Sequence, residues 1–195
     1  MIALALLVLA ATVLVRLPAQ WALALAPQGV GCELPSGSLW QGGCKGLKAA
    51  GLSLQSATWQ LHPLALLRAR LSLDVQVDDT RVTGHARIAF SPGGTIDLQD
   101  LRAHMPIDSG LLPLFPRGWG GELALALDEA RLEHGHPATL RGAAHAQGLR
   151  QLSTAMAFGD YVLRFDQPAD ANGRLLGQLA DEGGPLALSG QLQLA

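Results

Sequence analysis

Hydrophobic positions fall along this chain in two patterns. From Met1 to Val15 the run is apolar except for Thr12, with Leu4, Leu6, Leu7, Val8, Leu9, Val13, Leu14 and Val15 as its bulk. Past residue 35 the pattern turns to alternation. LSLDVQV sets Leu71, Leu73, Val75 and Val77 on one side of an extended chain and Ser72, Asp74 and Gln76 on the other, the period of a strand with one wet face. RVTGHARIAF continues it with Val82, Gly84, Ala86, Ile88 and Phe90, and GELALALDEARL with Leu123, Leu125 and Leu127. GRLLGQLA and PLALSGQLQL close the chain in the same style.

Turn-forming clusters separate these runs at Asp78-Asp79-Thr80, Ser91-Pro92-Gly93-Gly94, His134-Gly135-His136-Pro137, Ala171-Asn172-Gly173 and Glu182-Gly183-Gly184-Pro185. Short strands with compact turns predict an antiparallel meander, because parallel strands need long crossover connections. The expected fold is mostly β: a curved antiparallel meander, half-barrel or taco-like, with an N-terminal transmembrane helix and one or two short helical segments. HPLALLRARL, residues 62–71, has Pro63 placed for a first helical turn. DSGLLPLFPRGWGG, residues 108–121, is broken into irregular structure by its prolines and glycines. Both are expected to cap or cover the sheet.

As a helix the first fifteen residues rise about 22 Å, short of a ~30 Å hydrocarbon core. Continuing past Arg16 to about Ala26 suffices if Arg16 snorkels, with Pro18 a kink or end and Trp21 an interfacial anchor. A cleaved signal peptide is the other reading, since Ala22-Leu23-Ala24 and Ala24-Leu25-Ala26 resemble cleavage sites, but the basic n-region is missing. The expected organisation is an anchor and interfacial segment over 1–26 and an exported β domain over 27–195. The pattern at Ala195 leads us to expect further strands beyond it.

The 195 residues are 49% hydrophobic and 15% charged, with net charge -2; the 14 basic residues are scattered among 16 acidic ones, which argues against a nucleic-acid partner. Only two cysteines occur, Cys32 and Cys44. In an oxidising compartment they read as a disulfide, and no further Cys or His lies near enough to suggest zinc. No cofactor is expected.

If Ala49-Ala50 makes a tight turn, Trp40 falls opposite Trp59, with Gly42, Cys44 and Gly46 on the face that carries both indoles. Catalytic signatures are missing: no G-x-S-x-G, no H-E-x-x-H, no P-loop and no dinucleotide fingerprint. His134 and His136 lack a third ligand; Asp78-Asp79 and Asp108-Ser109 read as turn chemistry, and Asp128-Glu129 as the polar end of a strand. Trp40 and Trp59 either pack the sheet or touch a partner or lipid.

LPAQW after the hydrophobic run, then GSLWQG, TWQLHPLALLRARL and the later GELALAL and PATLRG strands resemble, in that order, the type II secretion system protein N family, itself similar to AsmA-like proteins. The motif residues are Trp40, Gln41, Gly42, Trp59, Leu61, Pro63, Leu66 and Leu67. The resemblance implies a single-pass inner-membrane protein with a periplasmic β domain, non-enzymatic, working with other secretion subunits in export across the outer membrane. Two occupants of the apolar face compete: subunits of the machine, or phospholipid acyl chains in an AsmA-like lipid-handling role.

Overall fold

The computed structural model describes residues 17–20, 30–49, 52–107, 118–170 and 173–194. The expected membrane helix and most of the 108–121 segment lie outside the described residues. Among those described, no helix is long and apolar enough to cross a membrane.

Eleven strands follow in chain order: β1 (Gly31–Gly37), β2 (Gln41–Ala49), β3 (Leu52–His62), β4 (Leu71–Asp78), β5 (Thr83–Phe90), β6 (Thr95–Pro106), β7 (Trp119–Glu133), β8 (His136–Gln151), β9 (Met156–Phe165), β10 (Leu175–Gly183) and β11 (Gly190–Leu194). Each pairs antiparallel with its neighbours in sequence, giving one open sheet in the order β1 to β11. The expected antiparallel meander is therefore present. One helical turn, α1 (Pro63–Leu66), links β3 to β4, with proline at its start.

The alternating residues build continuous apolar rows across the pleat. Ala57, Val77, Gly84, Ala103, Leu125, Ala144, Leu163 and Leu179 oppose one another in turn from β3 to β10. A second row runs Leu61, Leu73, Ile88, Leu98, Ala130, Leu140, and Leu71 heads a third with Phe90, Ile96 and Leu132. Val82 sits at one end of this face in a buried cluster with Leu54 and Met105. Most other face residues, Leu71, Leu73, Val75, Val77, Ile88, Leu123, Leu125 and Leu127 among them, are only half-buried, as a single layer requires.

Two matched bulges keep this face apolar. β6 and β7 each carry one extra residue at the same level, so their apolar positions step from Leu98 to Leu101 and from Leu127 to Ala130 while still facing each other. Arg102 pins the pair. Its guanidinium donates to the carbonyl oxygens of Leu101 at 3.1 Å and Leu127 at 3.0 Å, and to the Asp128 carboxylate at 2.7 Å.

Some boundaries differ from the sequence expectation. The segment over 62–71 is helical for only one turn, because His62 still pairs with Ser72 in the β3–β4 ladder. PLALSGQLQL forms a strand only from Gly190.

Candidate functional site

One end of the sheet gathers the singled-out residues. There the β1–β2 turn (Ser38 to Trp40), the end of β3, and α1 meet the short stretch that follows the hydrophobic run. Leu39 donates its N–H to the Leu17 carbonyl at 2.8 Å, Ala19 to Gly37 at 3.3 Å, and Leu61 to Trp40 at 2.7 Å. Pro18 bridges Ser38, and Ala19 is buried. Ser38 folds the turn upon itself, donating through its N–H to the Gln41 carbonyl at 2.9 Å and accepting from the Gln41 N–H at 3.2 Å.

Trp40 does not oppose Trp59 as the sequence predicts. The hairpin closes on Ala49 opposite Leu52, two positions further on than a turn at Ala49-Ala50 requires, so Trp59 opposes Gly42 and Trp40 lies in the turn. The reason for the glycine survives the correction. A Cβ on Gly42 would come within 2.5 Å of the Trp59 ring, so only glycine lets the indole lie over the strand. The indole N–H donates to the Leu39 carbonyl at 3.2 Å, locking the ring to the turn. Phe165 repeats the arrangement over Gly177, where a Cβ would sit 2.6 Å from the ring.

The family-motif residues thus converge. Trp40, Gln41 and Gly42 form the turn and start of β2, and Trp59 covers Gly42. Leu61 is buried and tied to Trp40, and Pro63 starts α1. Leu66 and Leu67 differ from these: Leu67 is 84% exposed and Leu66 44%, with Leu64 at 77%.

On the opposite, polar face a groove of about 620 Å³ runs over β1 to β6. Its lining includes Thr58, Gln60, Gln76 and Asp74, and Asp74 accepts from Arg87 Nε at 2.7 Å and lies 2.7 Å from His62 Nε2. The Arg87 hydrogen bond, with His62 adding to it, holds the Asp74 carboxyl below its ordinary value. Histidine–carboxylate pairs recur along this face, His85 with Asp100, His104 with Glu122, and His145 with Glu182. Among the described residues no hydroxyl or thiol is hydrogen-bonded to any of these histidines, and no group of three His, Cys, Asp or Glu could hold a metal. The ion pairs brace nearby strands on this face.

The remaining candidates are structural. Cys32 and Cys44 form the expected disulfide between β1 and β2, with Cα atoms 5.8 Å apart. Asp79 is buried at the β4–β5 turn and accepts from the N–H groups of Gln55 at 2.5 Å and Arg81 at 3.1 Å. The Gln55 contact above all, then those of Arg81 and Thr80, lowers its pKa. His134 and His136 are exposed, flanking a turn. Asp108, Ser109 and the anchor leucines and valines lie outside the described residues. Sequence reading missed the histidine–carboxylate pairs, whose partners are 12 to 37 residues apart and meet only once register is known.

Residues 28–195 match the family model described as type II secretion system (T2SS), protein N. A curated relative, type II secretion system protein N of Vibrio cholerae serotype O1, is 33% identical over 132 residues, covering 64% of this chain. The chain spans about half the length of that relative, 52%. No solved structure matches.

Proposed function

The chain belongs to the type II secretion system protein N family, and we propose that it is a non-enzymatic accessory component of that machine. In this reading residues 1–26 tether it to the inner membrane. Residues 27–195 form a periplasmic β platform, curved about its apolar side, that contacts other subunits during export across the outer membrane. The observation that carries the proposal is a single-layer sheet whose apolar face is half-buried along its length, a form suited to being covered rather than to catalysis. Exposed Leu152, Met156, Leu186 and Leu188 lie at the end of the sheet away from α1 and offer a contact patch for those subunits.

The test is made in the cells that carry this chain. Deleting it should trap exported proteins in the periplasm, and photo-crosslinkers at Leu152 and Leu188 should capture secretion subunits. Undiminished export into the medium together with no subunit crosslink sinks the reading. The tether is tested separately by mass measurement of the mature N-terminus. Retention of Met1 or its neighbours supports an anchor, whereas a start at Leu25 or Pro27 means that a signal peptide has been removed.

A further inference from the structure

The loop joining β3 to β4 leaves three leucines in water beside two arginines. Leu64, Leu66 and Leu67 are 77%, 44% and 84% exposed. Scattered surface leucines are ordinary, but three within four residues make a local apolar knob. Arg68 and Arg70 follow at once, both exposed, and neither makes an ion pair among the described residues. The second half of the loop is tied to its first turn: the N–H groups of residues 67 to 70 donate to the carbonyls of Leu64, Ala65, Leu66 and Ala65, at 2.9 to 3.3 Å. These four donors are met within the loop and would not be stranded in a medium poor in water.

Its place in the fold adds a second, independent observation. The chain emerges from the hydrophobic run at Leu17, which is bonded to Leu39, and the neighbouring Trp40 carbonyl accepts from Leu61, two residues before α1. Leu17 and the knob therefore share one end of the sheet. If the N-terminal hydrophobic segment anchors the chain in a bilayer, that end faces the bilayer surface.

We infer that the Leu64–Arg70 loop is a second membrane contact, with its leucines sunk into the interfacial region of an anionic phospholipid bilayer and Arg68 and Arg70 on the phosphates. The inference rests on the tether proposed above. It fixes how the sheet stands on the membrane: two contacts set its tilt, where a single tether leaves it free to swing.

The experiment uses the full chain reconstituted into vesicles of phosphatidylethanolamine and phosphatidylglycerol, with its disulfide formed. A spin label is placed at Leu67→Cys, at Leu9→Cys in the hydrophobic run, or at Lys48→Cys at the far end of the sheet. The label at 67 should gain accessibility to oxygen and lose it to an aqueous nickel chelate, while that at 48 stays aqueous. Each arginine near an anionic surface should favour docking about fivefold, so R68Q/R70Q should shift the docked fraction back toward water. A bilayer signal at 9 with an aqueous signal at 67 overturns the loop contact and leaves the tether standing. An aqueous signal at 9 with a bilayer signal at 67 removes the tether and keeps the loop contact. Water at both positions ends both.

Discussion

Gly42 holds its place because the Trp59 ring occupies the space that a side chain would need. A Cβ there meets the ring at 2.5 Å and the Ser36 carbonyl at 2.8 Å, and backbone cannot step aside. G42A should therefore lower stability by about 1–3 kcal/mol, as overpacking does, in urea unfolding followed by tryptophan emission. The neighbouring G43A is the control, since its Cβ meets nothing closer than 3.4 Å and should cost less. Equal losses for the two would show that the ring is not what selects glycine. Asp79 makes a different kind of prediction. Its carboxyl is held below the ordinary value chiefly by the Gln55 N–H, so the unfolded chain takes up the proton first as pH falls. The stabilisation is then complete above about pH 4 and is lost as pH drops through the lower folded value. D79A should cost about 1–3 kcal/mol at neutral pH by leaving two amide donors unmet. Its stability should also fall less steeply than that of the parent below about pH 4 in denaturant titrations.

Strands were legible wherever the period of two ran unbroken. LSLDVQV and GELALAL needed no tertiary knowledge, because every second residue faces the same way. β6 was not, since the extra residue at Asp100 shifts its apolar positions from even to odd numbers halfway along. β1 was equally hidden: GCELPSG has no alternation, and Pro35 marks it as an edge strand, where a missing donor is tolerated. The disulfide compensates for that weak strand. Among the described strands β1 neighbours β2 alone, and Cys44 is almost fully buried where it meets Cys32. Replacing both cysteines with serine should cost about 3 kcal/mol by loop-closure entropy. The loss should be local: hydrogen exchange should speed up in residues 31–37 while β6 to β8 keep their protection. Collapse of protection throughout the sheet would instead make the bridge a global element.

At the scale of the whole molecule, pairing only between sequence neighbours makes the sheet nearly one-dimensional. Fold class followed from the sequence because such a meander needs no long-range crossover to be guessed. Register did not, because it depends on where each turn closes, and the difference of two positions at Ala49 was enough to separate the two tryptophans. The site was legible as a set of motif residues but not as a place, since only the ladder brings Leu17, Trp40, Leu61 and α1 to one end. One-dimensional pairing also dictates how stability is distributed. The longest strands, β7 with 15 residues and β8 with 16, lie well inside the sheet, whereas β1 has 7 and β11 has 5. Each inner strand is held by two neighbours and each edge strand by one, so opening should begin at the outer strands and travel inward, as in repeat proteins. Native-state hydrogen exchange should therefore show opening free energies that rise from β1 and β11 toward β7 and β8. A single value shared by all strands would mean that the apolar face is bound into one cooperative unit, and that something beyond strand pairing already covers it.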